Sequence, residues 1–275
     1  MTHLRPPSPR PSPVGALFQH WRQVRHMSQL ALATEADISP RHLSFIETGR
    51  ARPSRDMVLL LASTLEVPLR ERNALLLAAG YAPLYREAHL DAPELGAVRA
   101  ALDAILHQQE PFPAVVMNRS WDILTSNGAA SRFFGFLLDP KSLAGPANVI
   151  RMMFDPDGLR PFVVNWDAVA EALIRRIYRE AVGGAPDEAT TRLLDEVFAF
   201  PDVPRRWRRP DPEAPLVPIL PVTFRKESKT FAFFSAVTTL GTAQDITLQE
   251  LRIECFFPLD TETRRHAEDL AMSGA

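Results

Sequence analysis

Apolar residues recur at helical spacing through the first 80 positions and at alternating spacing later, so the chain changes its grammar part-way. Val14, Leu17, Phe18, Trp21 and Val24 lie three or four apart and mark one stripe of a helix. Leu32, Ala33 and Ala36 repeat the pattern behind Ser28, a plausible N-cap. Ser39 is a second N-cap, with Pro40 at the first helical position, where its missing N–H costs nothing. Leu43 and Ile46 then share a face, and Gly49 falls where a left-handed C-cap is usual. Only Asp37 and Ile38 separate these two helices. Apolar-faced runs from Met57 to Leu65 and from Leu69 to Ala79, divided by Val67-Pro68, complete five helices. The order helix, tight turn, helix leaves the second of the pair free to enter a groove.

Beyond residue 80 the pattern differs. Leu95, Val98, Leu102, Ile105 and Leu106 still read as a helix, closed by Glu110-Pro111-Phe112-Pro113. Ala114 to Asn127 is two short β-type runs around Asn118-Arg119-Ser120, and a small-residue helix start follows from Asn127 to Gly135. A helical run extends from Trp166 to Ala181. Phe231 to Thr239 and Ile246 to Phe257 are rich in aromatic and β-branched residues, and Leu251, Ile253, Cys255 and Phe257 share one face at period two. These runs predict an antiparallel sheet of four or five strands covered by helices. The predicted fold is therefore multidomain: an all-α five-helix head and an α+β second domain. The divisions read from the pattern are a disordered tail over residues 1–13, the head over 14–80, a helical linker over 81–113, the second domain over 114–260 and a C-terminal tail over 261–275.

Charge sharpens the division. The net charge of −2 hides a head (residues 1–80) with ten Arg, no Lys and six acids, and a remainder with 21 basic and 27 acidic residues. A basic head on an acidic body fits a head that meets phosphate. One cysteine, Cys255, argues against a disulfide framework, and as a lone thiol on an apolar strand it reads as a small hydrophobe rather than a redox switch. No apolar run approaches membrane-spanning length, and the Pro-rich start lacks an apolar signal core. A cytoplasmic protein without a membrane span is expected. No histidine lies between His107 and His266, which removes His-based acid–base chemistry and most zinc sites from the second domain, and there is no phosphate-cradling Gly-rich loop. Neither an enzyme nor a protein with a metal or resident cofactor is expected. The cluster Arg205 to Arg209 around Trp207 reads as a surface turn with the indole inward.

Ser28-Gln29, Leu32-Ala33, Ala36, Ile38-Ser39, Leu43, Ile46-Glu47, Gly49-Arg50 and Pro53-Ser54 together resemble the XRE-type helix-turn-helix of phage repressors and bacterial regulators. Two positions depart from that pattern: Asp37 stands where the turn glycine is usual, and Phe45 stands at an often polar, base-contacting position. The resemblance implies a double-stranded DNA operator as partner. Arg41, Ser44 and His42 are the expected base readers, and Ser39, which caps their helix, is also expected among the DNA-binding residues. Gln29, Thr48, Arg50 and Arg52 are expected at phosphates. One short recognition helix buries too little surface for tight binding, so a homodimer on two half-sites is expected.

The hairpin, the helix ending in Phe-Gly, and the segment from Asn148 to Pro156 leading to Trp166 resemble the PAS-like ligand-binding domain of MmyB-like transcription regulators. That resemblance implies an apolar, fatty-acid-like small molecule. Trp121, Phe134, Phe154 and Phe233 are the candidate pocket residues, and Arg151 the candidate for a ligand carboxylate, against a structural ion pair with an acid. The alternative is a DNA-binding protein whose second domain only dimerises or docks another protein.

Overall fold

Four serines open four of the first helices, and each accepts a backbone N–H from the first turn it caps: Ser12 from Gly15, Ser28 from Ala31, Ser39 from His42 and Ser54 from Met57, at 3.0–3.2 Å. The computed structural model describes residues 12–141, 145, 147–180, 188–200, 202–208, 219 and 221–273. The chain divides into two compact units, one of residues 1–88 and 243–249, the other of 89–242 and 250–275. The expected tail over 1–13 lies outside the described residues up to position 11.

The first unit holds five helices: α1 Pro13–Val24, α2 Gln29–Glu35, α3 Pro40–Glu47, α4 Arg55–Thr64 and α5 Leu69–Ala78. Phe18, Leu32, Leu43, Ile46, Val58, Leu61 and Leu75 are fully buried between them. The approach of α1 to α3 needs a glycine: a Cβ on Gly15 would stand 2.6 Å from the carbonyl oxygens of Ile46 and Glu47. Asp37 takes φ 52°, so the turn between α2 and α3 has the left-handed geometry that glycine usually supplies. The core of the α1–α3 contact is also polar. Glu47 is buried, and it accepts from Arg22 Nε at 2.8 Å, Arg22 Nη2 at 3.1 Å and Gln29 Nε2 at 2.9 Å. One carboxylate thus ties three helices.

Residues 243–249 belong to this unit, although they fall inside the expected second domain. Pro68, the residue before α5, gives the helix no side-chain cap. Its first N–H, on Leu69, donates instead to Gln249 Oε1 at 2.7 Å. Ala88 N–H donates to Asp245 Oδ2 at 3.0 Å, Ile246 N–H to the Arg86 carbonyl at 2.9 Å, and Ile246 is buried. The run expected as one strand from Ile246 to Phe257 is therefore two elements. Asp245 caps a short helix, Ile246–Glu250, by accepting from Thr247 N–H at 2.8 Å, and the strand begins only at Arg252.

The second unit is built on a five-stranded antiparallel sheet, as its alternating runs predict. Its strands are β1 Ala114–Met117, β2 Ile123–Ser126, β3 Val222–Lys226, β4 Lys229–Thr238 and β5 Arg252–Pro258, in spatial order β2-β1-β5-β4-β3. α6 (Gly96–Gln108) precedes the sheet, and α7 (Gly128–Leu137), α8 (Val149–Phe154), α9 (Trp166–Glu180) and α10 (Glu188–Ala199) come between β2 and β3. Asn127 links β1 to α7. Its Oδ1 accepts from Ala114 and Ala130 N–H at 3.0 and 2.9 Å, and its Nδ2 donates to the Phe112 carbonyl at 2.8 Å. The expected C-terminal tail is instead a helix, Thr261–Ser273, packed on β4 and α7. Thr263 and His266 are buried in that contact, with Thr263 Oγ1 accepting from Ala232 N–H at 2.9 Å and the His266 ring 3.0 Å from the Thr230 carbonyl.

Candidate DNA-reading helix and ligand cavity

In the first unit, α3 presents a small cationic platform. Phe45 is half-buried, and the guanidinium carbons of Arg41 and Arg50 lie 5.2 and 5.9 Å from its ring centre. Both arginines are otherwise exposed. The ring therefore gives two long side chains a common resting surface, which lowers the entropy each loses when it meets an anion. This role for Phe45 was not read from the sequence, in which the ring only stands at an often polar, base-contacting position. Ser39 caps the helix as expected. His42 and Ser44 are half-buried on it, with Ser44 spending its carbonyl on the Thr48 hydroxyl at 2.6 Å.

Three residues expected at phosphates have internal partners. Gln29 donates to Glu47, and the Thr48 hydroxyl donates to Ser44. Arg52 donates through Nε and Nη2 to the Ala79 carbonyl at 3.2 and 2.9 Å and lies over the Tyr81 ring. It closes the C-terminal end of α5, where orphan carbonyls need donors.

The second unit contains an apolar cavity. From the sheet it is lined by Val115, Ile123, Val222, Phe224, Glu254 and Phe256. Phe133 and Phe134 of α7, Val149, Met152 and Met153 of α8, and Leu173 of α9 close it. Its volume is about 60 Å³, within about 630 Å³ of atom-free space that reaches out to the mouth. The space of about 60 Å³ alone takes a group of a few heavy atoms, and a longer body needs the flexible Met152 and Met153 to yield.

Of the residues expected to bind a ligand, Phe134 lines this cavity. Trp121, Phe154 and Phe233 are buried in the surrounding core instead. Phe154 packs edge-on against Trp166 at 5.1 Å, and Phe233 packs edge-on against Phe133 at 5.5 Å, so Phe233 backs a residue of the wall. Arg151 is not on the wall. It is half-exposed and forms a bidentate pair with Glu196, Nε at 2.7 Å and Nη2 at 3.2 Å, which raises its pKa. α8 turns Ile150, Met153 and Phe154 inward and leaves Arg151 outward.

The charged group that does line the cavity is Glu254, which sequence reasoning missed. It sits on β5 opposite Val115 and Val237, and the apolar alternation of Ile253, Cys255 and Phe257 drew attention to the opposite face. Glu254 is 7% exposed. It accepts from the Ser235 hydroxyl at 2.6 Å and from Arg176 Nη1 at 3.2 Å. Arg176 also donates to Glu180 at 2.7 Å, and Arg252 pairs with Glu180 at 2.5 Å. Burial works against the charge on Arg176, but Glu254 and Glu180 outweigh it and raise its pKa. Burial, with Arg176 and Arg119 nearby, outweighs the acids at Arg252 and lowers its pKa. The two guanidiniums stand 4.5 and 5.4 Å from the Trp121 ring centre.

Trp121 takes φ 70°, a left-handed conformation that a bulky residue adopts only when its surroundings impose it. Asn118 and Asn148 impose it. Asn118 Oδ1 accepts from Ser120 and Asp122 N–H at 2.9 and 3.0 Å, and Asn148 Nδ2 donates to the Ser120 carbonyl and to Asp122, both at 2.8 Å. Cys255 is half-buried, and burial pushes its thiol pKa up, so thiolate is scarce at neutral pH. Trp207 is buried as expected, and Arg208 pairs with Asp195 at 3.2 Å; Arg209 lies outside the described residues. Among the described residues, no group of His, Cys, Asp and Glu is placed to hold a metal ion, and no helix is long and apolar enough to cross a membrane.

An α-helical unit with a short capped helix behind a tight turn, joined to an α+β unit with an apolar cavity, defines the class of a DNA-binding regulator with a small-molecule domain. The family model described as the MmyB-like transcription regulator ligand binding domain matches residues 98–270, and a helix-turn-helix model matches residues 20–72. The chain belongs to the MmyB-like transcription regulators, with a helix-turn-helix region ahead of the ligand-binding domain. Both models describe transcription-regulator domains rather than enzymes. No curated protein matches the chain. A solved structure titled "Structure of an RNA-binding Light-Oxygen-Voltage Receptor" is 11% identical over 95% of this chain, which spans 61% of that one. Its TM-score of 0.27 is too low to support an argument about fold or function.

Proposed function

We propose that an apolar molecule with a fatty-acid-like hydrocarbon body occupies the cavity, and that occupancy sets the operator affinity of a homodimer. The observation that carries this reading is the wall of the cavity, thirteen apolar residues and one acid. Ligand sites have that composition, and a merely structural core has no reason to leave such a space beside a mouth. Arg41 and Arg50, held on Phe45, are the side chains proposed to meet DNA, with Ser44 and His42 beside them. A helix of eight residues supports only a small interface, so two copies reading two half-sites about one helical turn apart are proposed. No catalytic step and no resident cofactor enter this account, and the protein is proposed to work in the cytoplasm.

Residues 243–249 give the cavity a route to the head. They follow β4 and lead, through Glu250 and Leu251, into β5, which carries Glu254 and Phe256 on the cavity wall. Their own contacts, through Asp245, Ile246 and Gln249, are with residues 69, 86 and 88 of the first unit. A shift of β5 on ligand entry would pull on the start of α5.

The test is mass spectrometry of the full chain under native conditions, followed by organic extraction. A bound or exchangeable apolar molecule, together with dimer mass, is the expected result. An empty protein that also takes up no hydrocarbon-chain compound would favour the dimerisation or docking role for the second unit.

A further inference from the structure

We infer that the open edge of β4, from Ser235 to Val237, is the surface through which two copies of the chain meet, pairing antiparallel with the same edge of the second copy. This rests on the proposal that the protein acts as a homodimer, and it names the interface.

β4 outruns one of its neighbours. β3 pairs with it only as far as Val222 opposite Phe233, whereas β5 accompanies it to Thr238. Among the described residues, positions 234–238 therefore have a strand on one side only. The hydrogen-bond alternation of antiparallel strands decides which backbone groups are left open. The Phe256 N–H donates to the Pro113 carbonyl, away from β4, and the Leu259 N–H donates to the Ala232 carbonyl of β4. In that phase Phe257, Cys255 and Ile253 face β4, opposite Phe234, Ala236 and Thr238. Ser235 and Val237 then turn both their N–H and their C=O groups to the open edge. Residues Ser235 to Thr239 are all exposed.

This edge lacks the usual protection. Native proteins guard exposed strand edges with charges, prolines or bulges. From Thr230 to Gln244 the chain carries no charged residue and no proline, and the register with β5 runs unbroken from Phe233 to Thr238. An edge of this kind is built to be covered.

Symmetry identifies the occupant. Two such edges, antiparallel about a two-fold axis at Ala236, set Ser235 of each copy opposite Val237 of the other. Each of these two pairs exchanges two N–H···O=C bonds, so four bonds satisfy every open group on both copies. The axis itself falls on a non-hydrogen-bonded pair, where Cα atoms approach to about 4.5 Å and side chains crowd. Ala236 puts the smallest side chain of the segment at that point. Phe234, half-buried and stacked on Phe257, gains Thr238 of the second copy as a cross-strand neighbour. An isologous contact requires one patch to complement itself, and an uncharged run meets itself without like-charge repulsion. The paired segment is short against the roughly 800 Å² per partner of a standard interface, so the dimer is expected to dissociate on dilution.

The experiment is sedimentation velocity of the full chain over a dilution series, beside Val237→Pro and Val237→Lys. Because the Val237 N–H faces the open edge, proline there removes no bond from the chain's own sheet. It removes two of the four bonds between copies, and lysine brings like charges together near the axis. Each variant is expected to raise the dimer dissociation constant about tenfold or more. Hydrogen exchange adds a readout that a general loss of stability would not move: the amides of Ser235 and Val237 should exchange more slowly as protein concentration rises, while that of Ala236, which faces β5, should not change. If Val237→Pro does not fold, Val237→Lys decides. Dimers of unchanged strength in the folded variants would overturn the inference and leave the homodimer reading standing on another surface. A monomer at every concentration would overturn both, and would leave the edge to an extended segment of another protein.

Discussion

Breaking the Arg22–Glu47 pair should destabilise the head by an amount that depends on which partner is removed. Glu47 is 1% exposed and holds Arg22 through two bonds and Gln29 through a third, while the Arg22 side chain keeps 16% of its surface in water. In Arg22→Met the carboxylate stays in place, fully buried and short of its cation. That situation costs about 3–5 kcal/mol. In Glu47→Leu the surviving guanidinium is near the surface and can turn outward, so the loss should be smaller, about 2–3 kcal/mol for the broken charge-assisted bonds. The double variant replaces the pair by apolar groups and should recover at least 1.5 kcal/mol relative to the sum of the two singles. Urea unfolding of the full chain, followed by hydrogen exchange at the amides of α1 and α3, measures all three. Additive losses within about 0.5 kcal/mol, or a larger loss in Glu47→Leu than in Arg22→Met, would refute the reasoning.

Three further outcomes follow from the same contacts. Phe45→Ala should leave the fold within about 1 kcal/mol of the original, since the ring is only half-buried, yet weaken DNA binding by releasing Arg41 and Arg50; unchanged affinity in a gel-shift titration would remove the platform role. Arg50→Ala should flatten the slope of log affinity against log salt by about one contact, whereas Arg52→Ala should chiefly lower thermal stability because its guanidinium is bonded to Ala79. Asp37→Gly should be neutral or stabilising by up to about 1 kcal/mol, because the left-handed turn at φ 52° penalises a side chain; a clear loss of stability in thermal melts would count against it.

Much of the head was legible because its signals are local. Ser39-Pro40 states where α3 begins, and the spacing of Leu43 and Ile46 states which face it buries. The sheet was legible as a class for the same reason, through β-branched and aromatic runs. What escaped depends on pairing. Which face of β5 meets the cavity follows from its register with β1 and β4, so the sequence drew the eye to Ile253 and Cys255 while Glu254 faces the space. The last helix escaped because its buried face includes Thr263 and His266, which have no apolar periodicity. The Asp245 cap was readable, but the β-branched residues around it suggested a strand. For Arg151 the ion-pair alternative could be named in the sequence but its partner could not, because Glu196 lies on another helix and meets Arg151 only through the packing of α8 and α10.

The central claim is that cavity occupancy and DNA binding are coupled, and coupling must be reciprocal. The direct measurement is the affinity of the full chain for octanoate with and without a duplex selected for tight binding from a random pool. The account predicts that duplex changes the octanoate affinity about tenfold, equivalent to about 1.4 kcal/mol, and that Gln249→Ala, which removes the bond to the start of α5, reduces that factor without altering binding to the free protein. Equal affinities in the presence and absence of the duplex would contradict it.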